Sequence, residues 1–349
     1  MFFASDNAGY VHPEVLDAIS RDNAGYAMPY GADAGTQRVQ SKLRDIFEAP
    51  DAMMHLVATG TAANALALAC LSQPYETVFC SAVSHIHEDE CSAPEFYSGG
   101  AKLTLVPCAV DKMSPDDLRK AIANEGTRGV HGPQRGAVSI TQVAEKGSVH
   151  TLDELKALVD VAKEFDLPVH LDGARFANAM AALGCSAAEM TWKLGIDAVS
   201  FGGTKNGLMG VEAVIFFDPA KSWEFELRRK RGAHLFSKGR YLAAQMDAYL
   251  TDDLWLKSAA SANANMARLA AGLRGLEGVR FLAEPDANMV FALMPRAMHR
   301  RLHDGGAVYY LMKGSLEGND PNEPLLCRLV CDWSISHDQI DHFISLAAG

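Results

Sequence analysis

Lys205 stands between glycines at the end of an apolar run, in Ser200-Phe201-Gly202-Gly203-Thr204-Lys205-Asn206-Gly207. An amine partly stripped of water and set near other cations loses its proton more easily, and can then attack a carbonyl to form a Schiff base. A solvated loop lysine is the plainer alternative, and three other groups bear on the choice. Gly60-Thr61 opens a stretch rich in helix formers, so its free amides and the helix dipole suit a phosphate. Asp172 closes a short apolar segment with Arg175 three residues on, and Lys230 lies in the basic run Arg228-Arg229-Lys230-Arg231. Taken singly, these read as a turn, a capped helix start with a surface ion pair, and a solvated face. Together, in this order, they point to one cofactor.

The elements that must position these groups follow from hydrophobic periodicity. Strands are predicted at 53–57, 77–80, 102–106, 137–141, 168–171, 196–201 and 211–217, alternating with helical segments. Ser114-Pro115-Asp116-Asp117 caps one helix; Thr151-Leu152-Asp153-Glu154 and Ser186-Ala187-Ala188-Glu189 are capping boxes for two more. Such alternation argues for an α/β fold with a mostly parallel sheet covered on both faces. Ligands collect at the carboxyl ends of strands in such sheets, where Gly60, Asp172 and Lys205 all fall. Beyond 218 the texture becomes helical from 223 to about 276, with breaks near Gly232, Gly239 and Thr251. A smaller α+β unit follows, with strands at 279–282, 288–293, 307–311 and 326–331, a loop over 313–324 and a closing helix after Ser336. The expected division is 1–250 for the amino-terminal segment and large domain, and 251–349 for the small one.

Composition narrows the function classes. The 349 residues are 48% hydrophobic, enough for a substantial core, and the net charge of −11 argues against nucleic acid as a partner. No apolar run approaches the roughly 18 residues that span a bilayer, and the amino terminus lacks a basic segment followed by an apolar one. The seven cysteines are scattered, without a Cys-x-x-Cys pair, which suits reduced core thiols and gives no metal site. A soluble, cytoplasmic protein is expected.

The order of phosphate turn, aspartate and lysine resembles the aspartate-aminotransferase-like enzymes of pyridoxal-phosphate fold type I. Within them the chain is similar to the low-specificity L-threonine aldolases and the related phenylserine aldolases. The resemblance is carried by Ser5-Asp6-Asn7, Tyr30-Gly31, Gly60-Thr61-Ala62-Ala63-Asn64, Ser84-His85-Ile86, Asp172-Gly173-Ala174-Arg175, Gly203-Thr204-Lys205-Asn206-Gly207 and Cys327-Arg328-Leu329-Val330, across nearly the whole chain. It implies pyridoxal 5'-phosphate as cofactor, with Lys205 as its Schiff-base lysine and Asp172 paired with the pyridine nitrogen. Gly60, Thr61, Thr204 and Lys230 would serve the phosphate, and His85 would lie on the ring and act as candidate base. Ser5, Arg175 and Arg328 would hold the substrate carboxylate, with Tyr30 beside them and Arg175 reaching the cofactor as well. The implied reaction splits a β-hydroxy-α-amino acid into glycine and an aldehyde; a β-eliminating lyase, an amino-acid racemase and a non-enzymatic binding protein are the alternatives. A homo-oligomer, a dimer of dimers with sites between subunits, is implied too.

Two departures stand out. Many members of that family carry Glu-Asn-Thr-His on the strand before the aspartate strand, where this chain reads Ser139-Ile140-Thr141-Gln142, so the histidine thought to handle the β-hydroxyl is missing. The family's phosphate-binding arginine falls near Ser237-Lys238, which makes Lys238 its candidate replacement.

Overall fold

The computed structural model describes residues 1–349. The larger sheet has seven strands: β1 (Met53–Val57), β2 (Glu76–Ser81), β3 (Lys102–Val106), β4 (Gln134–Thr141), β5 (Val169–Gly173), β6 (Ala198–Phe201) and β7 (Glu212–Phe216). Their spatial order is β1-β7-β6-β5-β4-β2-β3, and all run parallel except β7, which is antiparallel to both neighbours. The exception has a simple cause. The loop from β6 to β7 is too short for a parallel crossover, so the chain must turn straight back. Lys205 lies on that reversal.

Helices cover both faces, which is why β5, β6 and β7 are buried along their whole length. They are α1 (Pro13–Asp22), α2 (Ala34–Ile46), α3 (Gly60–Leu71), α4 (His85–Glu88), α5 (Ala93–Ser98), α6 (Pro115–Asn124), α7 (Leu152–Lys163), α8 (Phe176–Leu183), α9 (Ser222–Arg231), α10 (Arg240–Leu250) and α11 (Leu254–Leu273). On one face α3, apolar on every side, is sandwiched between the sheet and α5 and α9. The other face carries the main core, built with α2, α6, α7, α8 and α10.

Local chemistry sets most of the helix ends. Ser114 Oγ accepts from the Asp117 amide at 3.1 Å, and the Thr151–Glu154 capping box is complete. Ser186 and Glu189 also exchange both capping hydrogen bonds, yet only turns and the single 3-10 turn Trp192–Leu194 follow. The expected helix does not continue because the backbone leaves the helical region at Thr191 (φ −129°, ψ −108°) and the short turn after it ends at Gly195 in the left-handed conformation (φ 104°). The breaks near Gly232, Gly239 and Thr251 separate α9, α10 and α11.

The second sheet, order β10-β11-β9-β8, is antiparallel throughout and contains β8 (Arg280–Phe281), β9 (Met289–Pro295), β10 (Tyr310–Lys313) and β11 (Pro324–Val330). Helix α12 (Arg296–Asp304), not foreseen in the sequence, and the closing α13 (His337–Ala348) join α11 around a second core. Strand β10 begins three residues later than expected, because Ala307 is drawn back to the end of α12 by a bond to Leu302 O. Helix α11 serves both cores, through Trp255 and Ala259 at its start and Met266, Leu269 and Leu273 at its end. Phe3 is fully buried in the second core, and its backbone pairs with Val308 and Val330. Burying that ring stabilises by about 1.5–3 kcal/mol and fixes Ser5 and Asp6 where the two sheets meet.

Candidate active site

The Lys205 loop is held from beneath. Gly202 passes so close to Ala174 that a Cβ there would strike the Ala174 carbonyl. The Gly203 amide donates to Glu212 Oε2 at 2.6 Å, and Asn206 Nδ2 donates to Tyr249 Oη at 2.7 Å and to Trp255 O at 2.8 Å. Lys205 itself, on a single 3-10 turn, points the other way, into a cleft of about 220 Å³ lined by Ser5, His85, Asp172, Arg175, Lys205 and Arg328 among others. Its Nζ has no hydrogen bond or ion pair. Burial, and then the charge of Arg175, lower its pKa below the ordinary lysine value, partly opposed by Asp6, Asp172 and Glu145. Those are the conditions for a nucleophilic amine.

Asp172 ends β5 at the floor of the cleft, with Oδ1 accepting from the Ala174 amide at 3.0 Å and Oδ2 from Asn64 Nδ2 at 2.9 Å. A carboxylate has about four acceptor sites, so capacity remains for a ring N–H. Arg175 gives both arms of its fork to buried Asp6, at 2.8 and 3.0 Å, and Asn288 steadies the same carboxylate at 3.1 Å. Burial pushes the Asp6 pKa upward, but Arg175 and Lys205 outweigh it and hold Asp6 ionised. Arg328 is less committed. Its Nη2 donates to Ala4 O at 3.0 Å, its guanidinium lies 5.4 Å from the Tyr310 ring centroid, and its Nε is buried without a partner.

His85 opens α4 at the rim. Its Nδ1 is 2.9 Å from Oε1 of Glu90, which is buried, and this bond raises the histidine pKa against the opposing effect of burial. The His85 amide donates to Glu145 Oε1 at 2.8 Å. Burial, with the nearby charge of Asp172, pushes the Glu145 pKa up to about 7.

Gly60 and Thr61 form the first turn of α3, where Thr59 caps the Ala62 amide at 3.2 Å and the two preceding amides are left free. Nothing lies within 4 Å of where a Gly60 Cβ would sit, and Thr204 Oγ1 is buried without a partner. An open anion cradle, an orphaned hydroxyl, an unpaired lysine and a carboxylate with spare acceptor sites fit pyridoxal 5'-phosphate. Gly60, Thr61 and Thr204 are not among the residues that line this cleft, although α3 is tied to its floor by the Asn64–Asp172 bond, and Tyr30, Lys230 and Lys238 do not line it either. Lys230 Nζ stacks on the Tyr30 ring at 4.9 Å, Tyr30 borders a separate cleft with His55 and Arg229, and Lys238 borders another with Tyr26 and Pro29. Gln142 is also absent from it. Its Nε2 donates to His150 O at 2.9 Å and its Oε1 accepts from the His150 amide at 3.0 Å, deep inside the protein.

Residues 3–297 match the family described as beta-eliminating lyase. The chain is 39% identical to the low specificity L-threonine aldolase of Pseudomonas aeruginosa, over 97% of this chain and 94% of that one, and equally to the one from a Pseudomonas species. Among solved structures, the threonine aldolase of Leishmania major superposes with a TM-score of 0.91 at 27% identity, covering 99% of this chain and 98% of that chain. Serine palmitoyltransferase from S. paucimobilis, solved with a bound PLP–myriocin aldimine, shares the fold, with a TM-score of 0.72 at 19% identity over 100% of this chain and 86% of that one.

Proposed function

The chain belongs to the beta-eliminating lyase family, and from that premise we propose that it is a pyridoxal 5'-phosphate-dependent aldolase of the low-specificity threonine type. It cleaves L-threonine, L-allo-threonine and related β-hydroxy-α-amino acids, phenylserine included, to glycine and an aldehyde. The observation that carries this reading is the unpaired Lys205 amine, set in one cleft with Asp172 beneath it and the partly free Arg328 guanidinium across from it.

When bound, the cofactor supplies an electron sink for the bond at the substrate's Cα. Lys205 would hold it covalently and be released by the substrate amine. Asp172, buried and tied to Asn64, would accept the hydrogen bond of its ring nitrogen and keep that nitrogen protonated. Gly60, Thr61 and Thr204 would hold its phosphate, and His85 would cover its ring. Arg328 and Ser5 receive the substrate carboxylate, since a guanidinium fork matches a carboxylate with parallel hydrogen bonds. Arg175, with Nε and Nη2 given to Asp6, contributes positive charge and its one remaining amino group.

Tyr30, Lys230 and Lys238 lie beside Tyr26, Met28 and Phe236, large side chains that a single chain leaves exposed. A homo-oligomer, a dimer of dimers, covers that surface and brings these three residues to a neighbouring subunit's site. The division near residue 250 separates the cofactor domain from a small domain that adds Arg328 and the apolar wall of Met289, Phe291 and Met312. Seven free cysteines, mostly buried, fit a reducing cytoplasm.

Product analysis tests the reaction. Incubation with L-threonine, L-allo-threonine and L-phenylserine should give glycine with acetaldehyde or benzaldehyde. Ammonia with a 2-oxo acid, or a D-amino acid, would replace this reading with elimination or racemisation on the same groups.

A further inference from the structure

We propose that Glu145 is the catalytic base that takes the proton of the substrate's β-hydroxyl. The assignment rests on the reading of this cleft as an aldolase site and names a residue that the motifs did not single out.

The sequence comparison leaves that role empty, because Gln142 stands where a histidine is expected and is committed to His150 inside the protein. Past Gln142 the chain reverses tightly. The Ala144 amide bonds Ser148 O at 2.9 Å and the Gly147 amide bonds Ala144 O at 3.0 Å. Asp111 Oδ2 gathers the Lys146 and Ser148 amides at 2.9 and 3.3 Å. This anchored turn presents Glu145 to the cleft beside Lys205 and Asp172. Oε1 is fixed by the His85 amide at 2.8 Å, and the Thr141 hydroxyl lies beside the same carboxylate on the cleft wall, so two polar groups hold Glu145 where it lines the cleft.

The other candidates are engaged. His85 Nδ1 is bound to Glu90, and that bond raises the ring's pKa and so favours the protonated form, which only donates. Asp172 spends both oxygens on Asn64 and Ala174 and serves the ring nitrogen. Lys205 is the covalent anchor. Five ionisable groups on four other segments face Glu145: Asp172 and Arg175 at the end of β5, Lys205 after β6, His85 on α4 and, more weakly, the Cys80 thiol on β2. Lys146 next to it in sequence, and Glu88 and Asp89 at the end of α4, border the same cleft. Burial and the Asp172 charge bring Glu145 to about 7, so a substantial fraction is carboxylate at neutral pH while the acid form remains accessible. That balance suits a base which must later release its proton.

The step balances. Glu145 takes the hydroxyl proton, the O–H pair becomes the second bond of the aldehyde carbonyl, and the Cα–Cβ bond breaks. The cofactor, when bound, would be the electron sink for that bond, and Lys205 would supply the proton that Cα takes up in place of Cβ. Glu145 then loses its proton to water at the open side of the cleft.

The test compares wild type, Glu145→Gln and Glu145→Asp as holoenzymes, with kcat for L-allo-threonine and L-threonine from pH 5.5 to 9 and the dissociation constant of glycine by calorimetry. Glutamine keeps the acceptor for the His85 amide and removes the base. Expected are an acid limb in the wild-type kcat profile near pH 7, a fall of about 10²–10⁴-fold in Glu145→Gln with that limb gone, and glycine affinity within about threefold of wild type. Glu145→Asp should retain a limb at an intermediate rate. A kcat in Glu145→Gln within about threefold of wild type, an unchanged acid limb, or a glycine affinity that falls in step with kcat overturns the assignment and leaves Glu145 as the cap of α4. Wild-type enzyme that forms no glycine from either substrate overturns the aldolase reading itself, and the assignment with it.

Discussion

Lys205 and Asn206 are neighbours on one loop and meet opposite conditions. The Lys205 amine enters the cleft with no partner, and around it Thr204 Oγ1, Asn64 Oδ1 and Arg328 Nε are likewise buried without one. Asn206 faces down, and both hydrogens of its amide are used, on Tyr249 and Trp255, while Tyr249 bonds on to Gly202 O at 3.3 Å. A buried polar atom left unpaired costs about 1–3 kcal/mol. The loop therefore divides two tasks: its underside spends polar groups on stability, and its upper side withholds them for a ligand.

The contrast is broken most severely at Lys205. Lys205→Ala should lower kcat by at least about 10³-fold, because it removes a covalent anchor, while the melting temperature of the apo form moves by less than about 2 °C, because no bond is lost. Steady-state kinetics and calorimetry on the same preparation check both halves. A large loss of stability would show that the amine is structural.

Glu212, beneath the same loop, gives the next effect. Burial pushes its pKa to about 7, against the opposing pull of the nearby Thr204 hydroxyl and of the Gly203 amide that donates to it. Its folded value lies above the unfolded one, so its contribution to stability is complete below about pH 4.3 and is lost as the pH rises through 7. The difference corresponds to about 3 kcal/mol. Glu212→Gln should make the urea-unfolding stability of the apo form fall less between pH 5 and 8 than in wild type, with Glu145 acting in the same sense as Glu212 and His150, His170 and His299, each lowered to about 4 by burial, in the opposite one. An unaltered slope would mean that Glu212 titrates normally in the folded chain.

Asn206→Ala is the smallest of the three. Losing two buried hydrogen bonds should cost about 2 kcal/mol in unfolding free energy, with kcat of the folded protein reduced less than about tenfold. A kcat loss as large as that of Lys205→Ala would erase the distinction between the two faces.

The same division explains what the sequence made legible. Ser5, His85, Asp172, Arg175, Lys205 and Arg328 come from five separate motifs and line one cleft; all but Arg328, which lies within β11, sit at a strand end or on a segment that a local turn or cap defines. The strands of the large sheet were readable as apolar runs, and their ends fall within a few residues of expectation. What was not readable is pairing across distance: Asp6 with Arg175, Asn64 with Asp172, and Glu145 with the His85 amide. Asn64 did leave a signal, since a lone amide in a helix that is otherwise apolar on all sides must find a buried partner. Glu145 was hidden by register, because the departure was read at residues 139–142 and the acidic side chain that enters the cleft comes three residues later. Helix α12 was missed for a different reason. Arg296, Arg300 and Arg301 outnumber its buried apolar residues Met298 and Leu302, so the segment is too polar to read as a core helix although its few apolar residues share one face, and the arginines are satisfied by carbonyls of the 313–324 loop and of the end of α13.

The central claim, that the amine at residue 205 carries the cofactor, is tested most directly by borohydride reduction of the holoenzyme followed by peptide mass mapping. The pyridoxyl mass should appear on the peptide bearing Lys205 and on no other. Label on Lys230 or Lys238, or none at all, would contradict the account.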